Sequence, residues 1–141
     1  QKRVVGRAFT LRFVPAREDL ATPESWSSPK STRAAIEAMP EGCIAVADAM
    51  GVTDAGIFGD ILCARMQKRG VAGLVTDGVL RDSAGVLATG LPIWCRGVAA
   101  PASVAASTVG VIPIRAPDQV PNPGSASAKW LTVAGIRPRS R

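Results

Sequence analysis

Two short motifs carry the residue types that could do chemistry, and the distance between them sets what that chemistry could be. Gly59-Asp60 is followed by twenty residues and then by Arg81-Asp82. A helix N-terminus at Asp60 can favour an anion through the free amides of Asp60, Ile61 and Leu62 and the positive end of the helix dipole. A guanidinium presents a planar fork of donors to a carboxylate or oxo group. A second carboxylate can hold a hard cation. The chain contains no histidine, which removes His-ligated zinc, Ser-His-Asp triads, Cys-His dyads and histidine general bases together. Catalysis would therefore rest on carboxylates, Arg, Lys and backbone amides, with a hard metal ion as an option.

These residues need elements to position them. Asp60 reads as a helix N-cap, and Ile61, Leu62, Arg65, Met66 and Arg69 follow at helical spacing until Gly70 ends the helix. Residues 71–76 form a continuous apolar strand, Asp77-Gly78 a tight turn, and residues 83–87 one further helical turn. Upstream, residues 4–14 alternate as a strand with one wet face, and residues 15–31 read as a loop. Ser31 caps a short helix over 32–39 that Pro40 stops. Residues 43–47 form an apolar strand ending at Asp48, and 49–58 read as a connector. Residues 93–95 supply another strand. This order predicts an α/β domain with a mixed sheet flanked by helices. The Asp77–Asp82 loop would lie at the carboxyl edge of a strand, where open α/β sheets bind ligands. A plainer alternative is that Asp60 is only a cap and Arg81-Asp82 a solvated turn with a local ion pair, which contributes ~0–1 kcal/mol.

Composition bounds the rest. At 141 residues, 47% of them apolar, the chain can bury one core. Its three Trp, three Phe and absent Tyr leave Ala, Val, Ile and Leu to fill that core. The net charge of +6 is uneven: five bases and one acid lie from Arg115 onward, and only +2 belongs to residues 1–114. We therefore expect an α/β domain over 1–114 and an irregular, basic, proline-broken tail over 115–141, in which only Trp130–Val133 has strand character. Direct nucleic-acid binding is not expected, because no aromatic residues interleave the bases. No apolar run reaches the ~18 residues that cross a bilayer, so a cytoplasmic protein is expected. The start at Gln1, directly on an extended segment, suggests that further N-terminal sequence precedes it. Cys43, Cys63 and Cys95 have no Cys-x-x-Cys spacing and read as buried free thiols. Cys63, on the Asp60 helix, lacks a histidine to activate it. Asp77 reads as a turn residue. Asp48 has a better claim to line a cleft, Arg96 reads as part of a solvated loop, and Trp26 is a candidate cover for a neighbouring subunit.

The run Phe58-Gly59-Asp60-Ile61-Leu62-Cys63-Ala64, with Gly70 to Asp82 after it, resembles the RraA-like family, whose hallmark is an acidic residue, twenty residues and then Arg-Asp. Gly90 to Gly97, Pro101, Val5 to Thr10 and Ala47-Asp48 are similar too, so the resemblance covers about residues 4–112. It implies a swivelling β/β/α-type domain, normally preceded by N-terminal helices, and a homotrimer or hexamer. After Val111 it implies a Gly- and Asp-rich, strand-forming segment, where this chain is broken by prolines. It also implies a divalent-metal-dependent lyase that cleaves a C–C bond of a 2-oxo acid to give pyruvate, such as a 4-hydroxy-4-methyl-2-oxoglutarate aldolase that also decarboxylates oxaloacetate. Carried onto this chain, Asp82 would bind the metal, most simply Mg²⁺ with Mn²⁺ as the other choice. Arg81 would hold the substrate's oxo or carboxylate oxygen. The amides of Gly59, Asp60, Ile61 and Leu62 would take its carboxylate, and Asp60 would steer a water at the metal that delivers or removes a proton. The same family includes a non-enzymatic regulator that binds ribonuclease E, which is the alternative reading.

Overall fold

The computed structural model describes residues 3–13, 29, 31–101, 111–112 and 130–134. Most of the loop expected over 15–31, including Trp26 and Lys30, and most of the 115–141 segment lie outside these residues.

Strand β1 (Arg3–Phe13) is long enough to serve several partners. Its second half pairs in parallel with β2 (Ile44–Asp48), from Ala8 opposite Ile44 to Arg12 opposite Asp48. β2 pairs with β4 (Gly73–Thr76), and β4 with β6 (Ile93–Trp94), all in parallel. Antiparallel strands complete the sheet: β8 (Val111–Ile112) at the end of β1, and β9 (Trp130–Ala134) against residues 3–7. The strand character read at Trp130–Val133 thus becomes a strand once Arg3–Arg7 offers an edge. A second, three-stranded parallel sheet has the order β3 (Gly56–Phe58), β5 (Val79–Leu80), β7 (Gly97–Val98).

These three short strands correct the sequence reading. Residues 56–58 were expected in a connector, and 79–80 and 97–98 were assigned to no strand. Segments of two or three residues carry no measurable periodicity. They become strands because each finds a partner: Gly56 opposite Val79, Phe58 opposite Leu80, Val79 opposite Gly97.

The chain makes one move three times. A strand of the first sheet (β2, β4 or β6) leads through a short link into a strand of the second (β3, β5 or β7). After β3 comes helix α2 (Asp60–Lys68), and after β5 comes α3 (Ser83–Ala88). Phe13 on β1 and Phe58 on β3 meet edge to face at 5.7 Å and 88°, joining the two sheets. Leu11, Ile36, Met39, Cys63, Met66 and Leu74 fill the interior around them.

Helix α1 (Thr32–Glu37) begins as expected, with the Ser31 hydroxyl accepting from the Ala34 amide at 3.2 Å. It is tied to α2 by Glu37, which takes both Arg65 (2.6 and 2.7 Å) and Arg69 (3.0 Å). The Arg65 hydrogen bond holds the Glu37 carboxyl below its ordinary range. What the pair adds to stability is present above the unfolded carboxyl's pKa and lost as pH falls through the folded one. Among the described residues, no helix is long and apolar enough to cross a membrane.

Candidate active site

The second sheet delivers the two motifs to one place. β3 ends at Phe58 and hands the chain to Gly59-Asp60; β5 ends at Leu80 and hands it to Arg81-Asp82. The Arg81 amide donates to the Phe58 carbonyl at 3.0 Å, so the starts of the two segments are hydrogen-bonded across the strand pair.

The contacts between them are close and reciprocal. A Cβ placed on Gly59 would lie 2.6 Å from Asp82 Oδ2 and 3.0 Å from Arg81 Nε. A Cβ placed on Gly85 would lie 2.7 Å from Asp60 Cβ and 2.9 Å from Asp60 Oδ2. Each acid therefore rests on a glycine of the other segment. Arg81 Nη1 also pairs with Asp82 Oδ2 at 3.2 Å, with both side chains a little over one-third exposed. Asp82 adopts φ 52°, ψ 43°, and only Met50 shares a positive φ among the described non-glycine residues. That left-handed conformation costs about 1–2 kcal/mol for an ordinary residue and less for Asp or Asn. Such strain collects where surrounding structure holds a functional residue in place.

Two expectations change. The N-cap of α2 is Gly59 in extended conformation, and Asp60 is the first helical residue. Gly59 takes the cap position because its own carbonyl accepts the first helical bond, from the Cys63 amide at 3.1 Å. The Asp60 carboxylate instead turns onto the next amide, accepting from Ile61 N at 2.7 Å. The Ile61 amide is thus already engaged and is not free for an anion in this arrangement.

An open cleft of about 500 Å³ is lined by Arg81, Asp82, Ser83–Gly85 and Val98–Ala100. Gly59 and Asp60 reach it through their contacts with Arg81, Asp82 and Gly85. Ile61 and Leu62 line a different groove, between α1 and α2, together with Lys68. The structure therefore brings Gly59, Asp60, Arg81 and Asp82 together and leaves the side chains of Ile61 and Leu62 apart.

Other candidates fall into place. Asp48 accepts from the Met50 amide (2.9 Å) and pairs with Arg12 (2.7 Å), bonds that hold its carboxyl below the usual range. It braces a loop and is not among the residues lining the cleft. Arg96 is exposed, and its backbone amide donates to the Gly78 carbonyl. Burial pushes the Cys43 thiol up to about 11 and the Cys63 thiol to about 12, so neither supplies a thiolate near neutral pH. Asp77, read only as a turn residue, is used over a long range, as described below.

The Gly59 contact has a measurable consequence. Its φ of −118° suits any residue, so Gly59→Ala strains no backbone and acts through the added methyl alone. That methyl must displace the Asp82 carboxylate or the Arg81 side chain. Turnover that depends on either side chain should fall by about tenfold or more. The melting temperature should fall by only a few degrees, because an N-cap Gly→Ala change costs about 1 kcal/mol. Steady-state kinetics beside a thermal melt checks both.

A two-sheet α/β domain with an acid–arginine–acid cluster at the ends of its second sheet is the class that this architecture defines. The profile of the RraA-like family, described as Aldolase/RraA, matches residues 1–126, and the chain belongs to that family. A provisionally named 4-hydroxy-4-methyl-2-oxoglutarate aldolase of Halalkalibacterium halodurans is 36% identical over 101 residues, covering 72% of this chain and 43% of that protein. Streptomyces coelicolor RraAS2, described as an unusual member of the RNase ES inhibitor RraA family, superposes with a TM-score of 0.66 at 34% identity, over 77% of this chain and 50% of its own. The RNA-processing inhibitor RraA of Thermus thermophilus shares the fold at a TM-score of 0.59 and 21% identity, over 79% of this chain and 60% of its own. The chain thus spans less than half the length of the curated relative and half or somewhat more of these solved ones.

Proposed function

We propose that the chain carries the catalytic segment of a divalent-metal-dependent lyase that cleaves a C–C bond of a 2-oxo acid to release pyruvate. The observation that supports this most is the meeting of Gly59-Asp60 with Arg81-Asp82 across β3 and β5. A binding surface alone does not require two acids seated on each other's glycines beside an arginine.

Among the described residues no cluster of three or more His, Cys, Asp or Glu could form a closed cage. Asp82 instead offers one partly exposed carboxylate in an open cleft, which suits Mg²⁺ or Mn²⁺ keeping most of its water and does not suit structural zinc. When bound, such an ion supplies Lewis-acid stabilisation of negative charge developing on the 2-oxo oxygen.

The rest falls to the chain's own side chains. Arg81, on the cleft wall, orients the 2-oxo acid and donates hydrogen bonds to the oxygen that gains charge as the C–C bond breaks. One preorganised donor of this kind contributes about 3–4 kcal/mol. Asp60, seated against Gly85, holds a water through which a proton reaches or leaves the substrate. The substrate carboxylate is taken at the start of α2 by the amides of Gly59, Asp60 and Leu62, while the Ile61 amide stays with the Asp60 carboxylate. A Schiff base is the other route to such an enolate, but Lys68 lines the α1–α2 groove and is not among the residues lining the Arg81 cleft. Retro-aldol cleavage and β-decarboxylation share the enolate, so both belong to this reading. So does assembly into trimers or hexamers, for which exposed Ile61, Leu87 and Val98 offer apolar surface.

The test is pyruvate release from oxaloacetate and from 4-hydroxy-4-methyl-2-oxoglutarate. Turnover is expected with Mg²⁺ or Mn²⁺, lost with chelator and restored by adding the ion back. Failure to release pyruvate from both substrates with either ion would remove the lyase reading. The likeness to the RNase ES inhibitor family member favours a second reading, a regulator that binds a ribonuclease E-type enzyme. Capture of ribonuclease E that survives Asp82→Ala, together with absent lyase activity, is the outcome that selects it.

A further inference from the structure

The three links that carry the chain from the first sheet to the second are fastened to one another, and one side chain fastens two of them. Asp77 lies in the link between β4 and β5. Its Oδ1 accepts from the Ala49 amide at 2.6 Å and its Oδ2 from the Gly51 amide at 2.7 Å, both in the link between β2 and β3. Both carboxylate oxygens are thus spent on backbone donors 26 and 28 residues away in sequence. A turn alone would need neither bond.

Independent observations show how tightly these links are matched. A Cβ on Gly78 would lie 2.7 Å from Ala49 Cβ and 3.3 Å from Ile57 Cδ1, so the two links run in direct contact. The Thr76 hydroxyl accepts from the Gly78 amide at 3.0 Å, and the Gly78 carbonyl accepts from the amide of Arg96, in the third link, at 2.9 Å. The β3–β5 pairing that follows is only two residue pairs long and shifts register between Gly56 and Phe58. A ladder of two pairs supplies few hydrogen bonds of its own to hold that alignment. The alignment of Gly59-Asp60 against Arg81-Asp82 depends on that register.

We propose that Asp77 is a positioning residue: its carboxylate clamps the two links that enter the second sheet and so sets the register in which β3 and β5 present the Asp60 and Arg81-Asp82 segments. It touches no reacting group. It acts through the Ala49 and Gly51 amides, and its effect on turnover rests on the lyase reading above, whereas its effect on the backbone does not.

Two measurements on the full chain separate these parts. In hydrogen exchange, Asp77→Ala should release the Ala49 and Gly51 amides. It should also speed exchange of the Arg81 amide, which bonds the Phe58 carbonyl, by roughly tenfold or more, while the Ala35 and Ala38 amides of α1 keep their protection. Asp77→Asn keeps one acceptor and should fall between wild type and Asp77→Ala, and it carries the test if the alanine variant does not fold. Glu37→Gln, which loosens α1 from α2, should leave Arg81 exchange as in wild type. In the decarboxylation assay, Asp77→Ala should lower kcat/KM per folded molecule by about 100-fold, as an ångström-scale misplacement does, with KM rising. Arg81 exchange that stays at the wild-type rate after Ala49 and Gly51 are released would overturn the proposal and leave Asp77 a local brace. Equal acceleration in Glu37→Gln would overturn it as well, by pointing to general loosening. Wild-type protein without lyase activity would sink the functional reading, while the exchange result still decides the clamp.

Discussion

Asp82→Asn is expected to leave a folded protein without measurable lyase turnover and with weakened Mg²⁺ binding. The choice of asparagine follows from the backbone. Asp82 sits at φ 52°, ψ 43°, a conformation that Asn tolerates nearly as well as Asp and that other residues tolerate poorly. Asparagine therefore removes the charge and keeps the turn. Alanine removes both, so Asp82→Ala should lose activity and also some stability. Arg81→Lys should fail differently. It keeps a positive charge beside Asp82 but loses the planar two-donor fork. Metal binding should persist while kcat/KM falls by about two to three orders of magnitude, in line with losing one oxyanion donor. Metal titration followed by calorimetry, beside steady-state kinetics, reads both variants. Lyase activity unchanged in Asp82→Asn would end the metal-site reading. If both positions were only a solvated turn with a local ion pair, both variants would be near-neutral.

The largest effect on stability is expected at Phe58. Its side chain is fully buried and meets Phe13 edge to face at 5.7 Å, joining the two sheets at the last residue before the site. Phe58→Ala removes that pair and opens a cavity, at a cost of about 3–5 kcal/mol. A small domain holds only about 5–15 kcal/mol in total, so the urea midpoint should fall by a large fraction of its value. The Phe58 carbonyl also accepts the Arg81 amide, so activity should decline before global unfolding as urea is raised. A midpoint within the range of an ordinary surface substitution would show that the sheets are not joined through this pair.

The absence of histidine narrowed the chemistry to carboxylates, arginine and backbone amides, but the spacing of Asp60 and Arg81-Asp82 was by itself a modest signal. The resemblance to the RraA-like family is what turned those residues into a candidate site. The longer elements were legible for a local reason. Helix α2, the cap at Ser31, the core of β1 and strands β2 and β4 each satisfy a period or a capping rule within their own residues.

What the sequence could not show depends on partners distant along the chain. The second sheet is built from strands of two or three residues, too short to leave a pattern. Its strands exist because β3, β5 and β7 find one another in parallel. The N-cap moved from Asp60 to Gly59, because an Asp can bond a nearby helix-start amide either as the cap or as the first helical residue, and only backbone dihedrals distinguish the two. Asp77 looked like half of a turn because Asp-Gly is turn-forming wherever it occurs. That its two oxygens reach Ala49 and Gly51 is a fact of three dimensions. The sequence by itself determined which groups were available for chemistry and which of the longer segments would be regular, since both follow from side-chain type and local periodicity. The tertiary structure alone decided which glycine each acid rests on and how two short strands align, because those contacts join residues that no local rule connects.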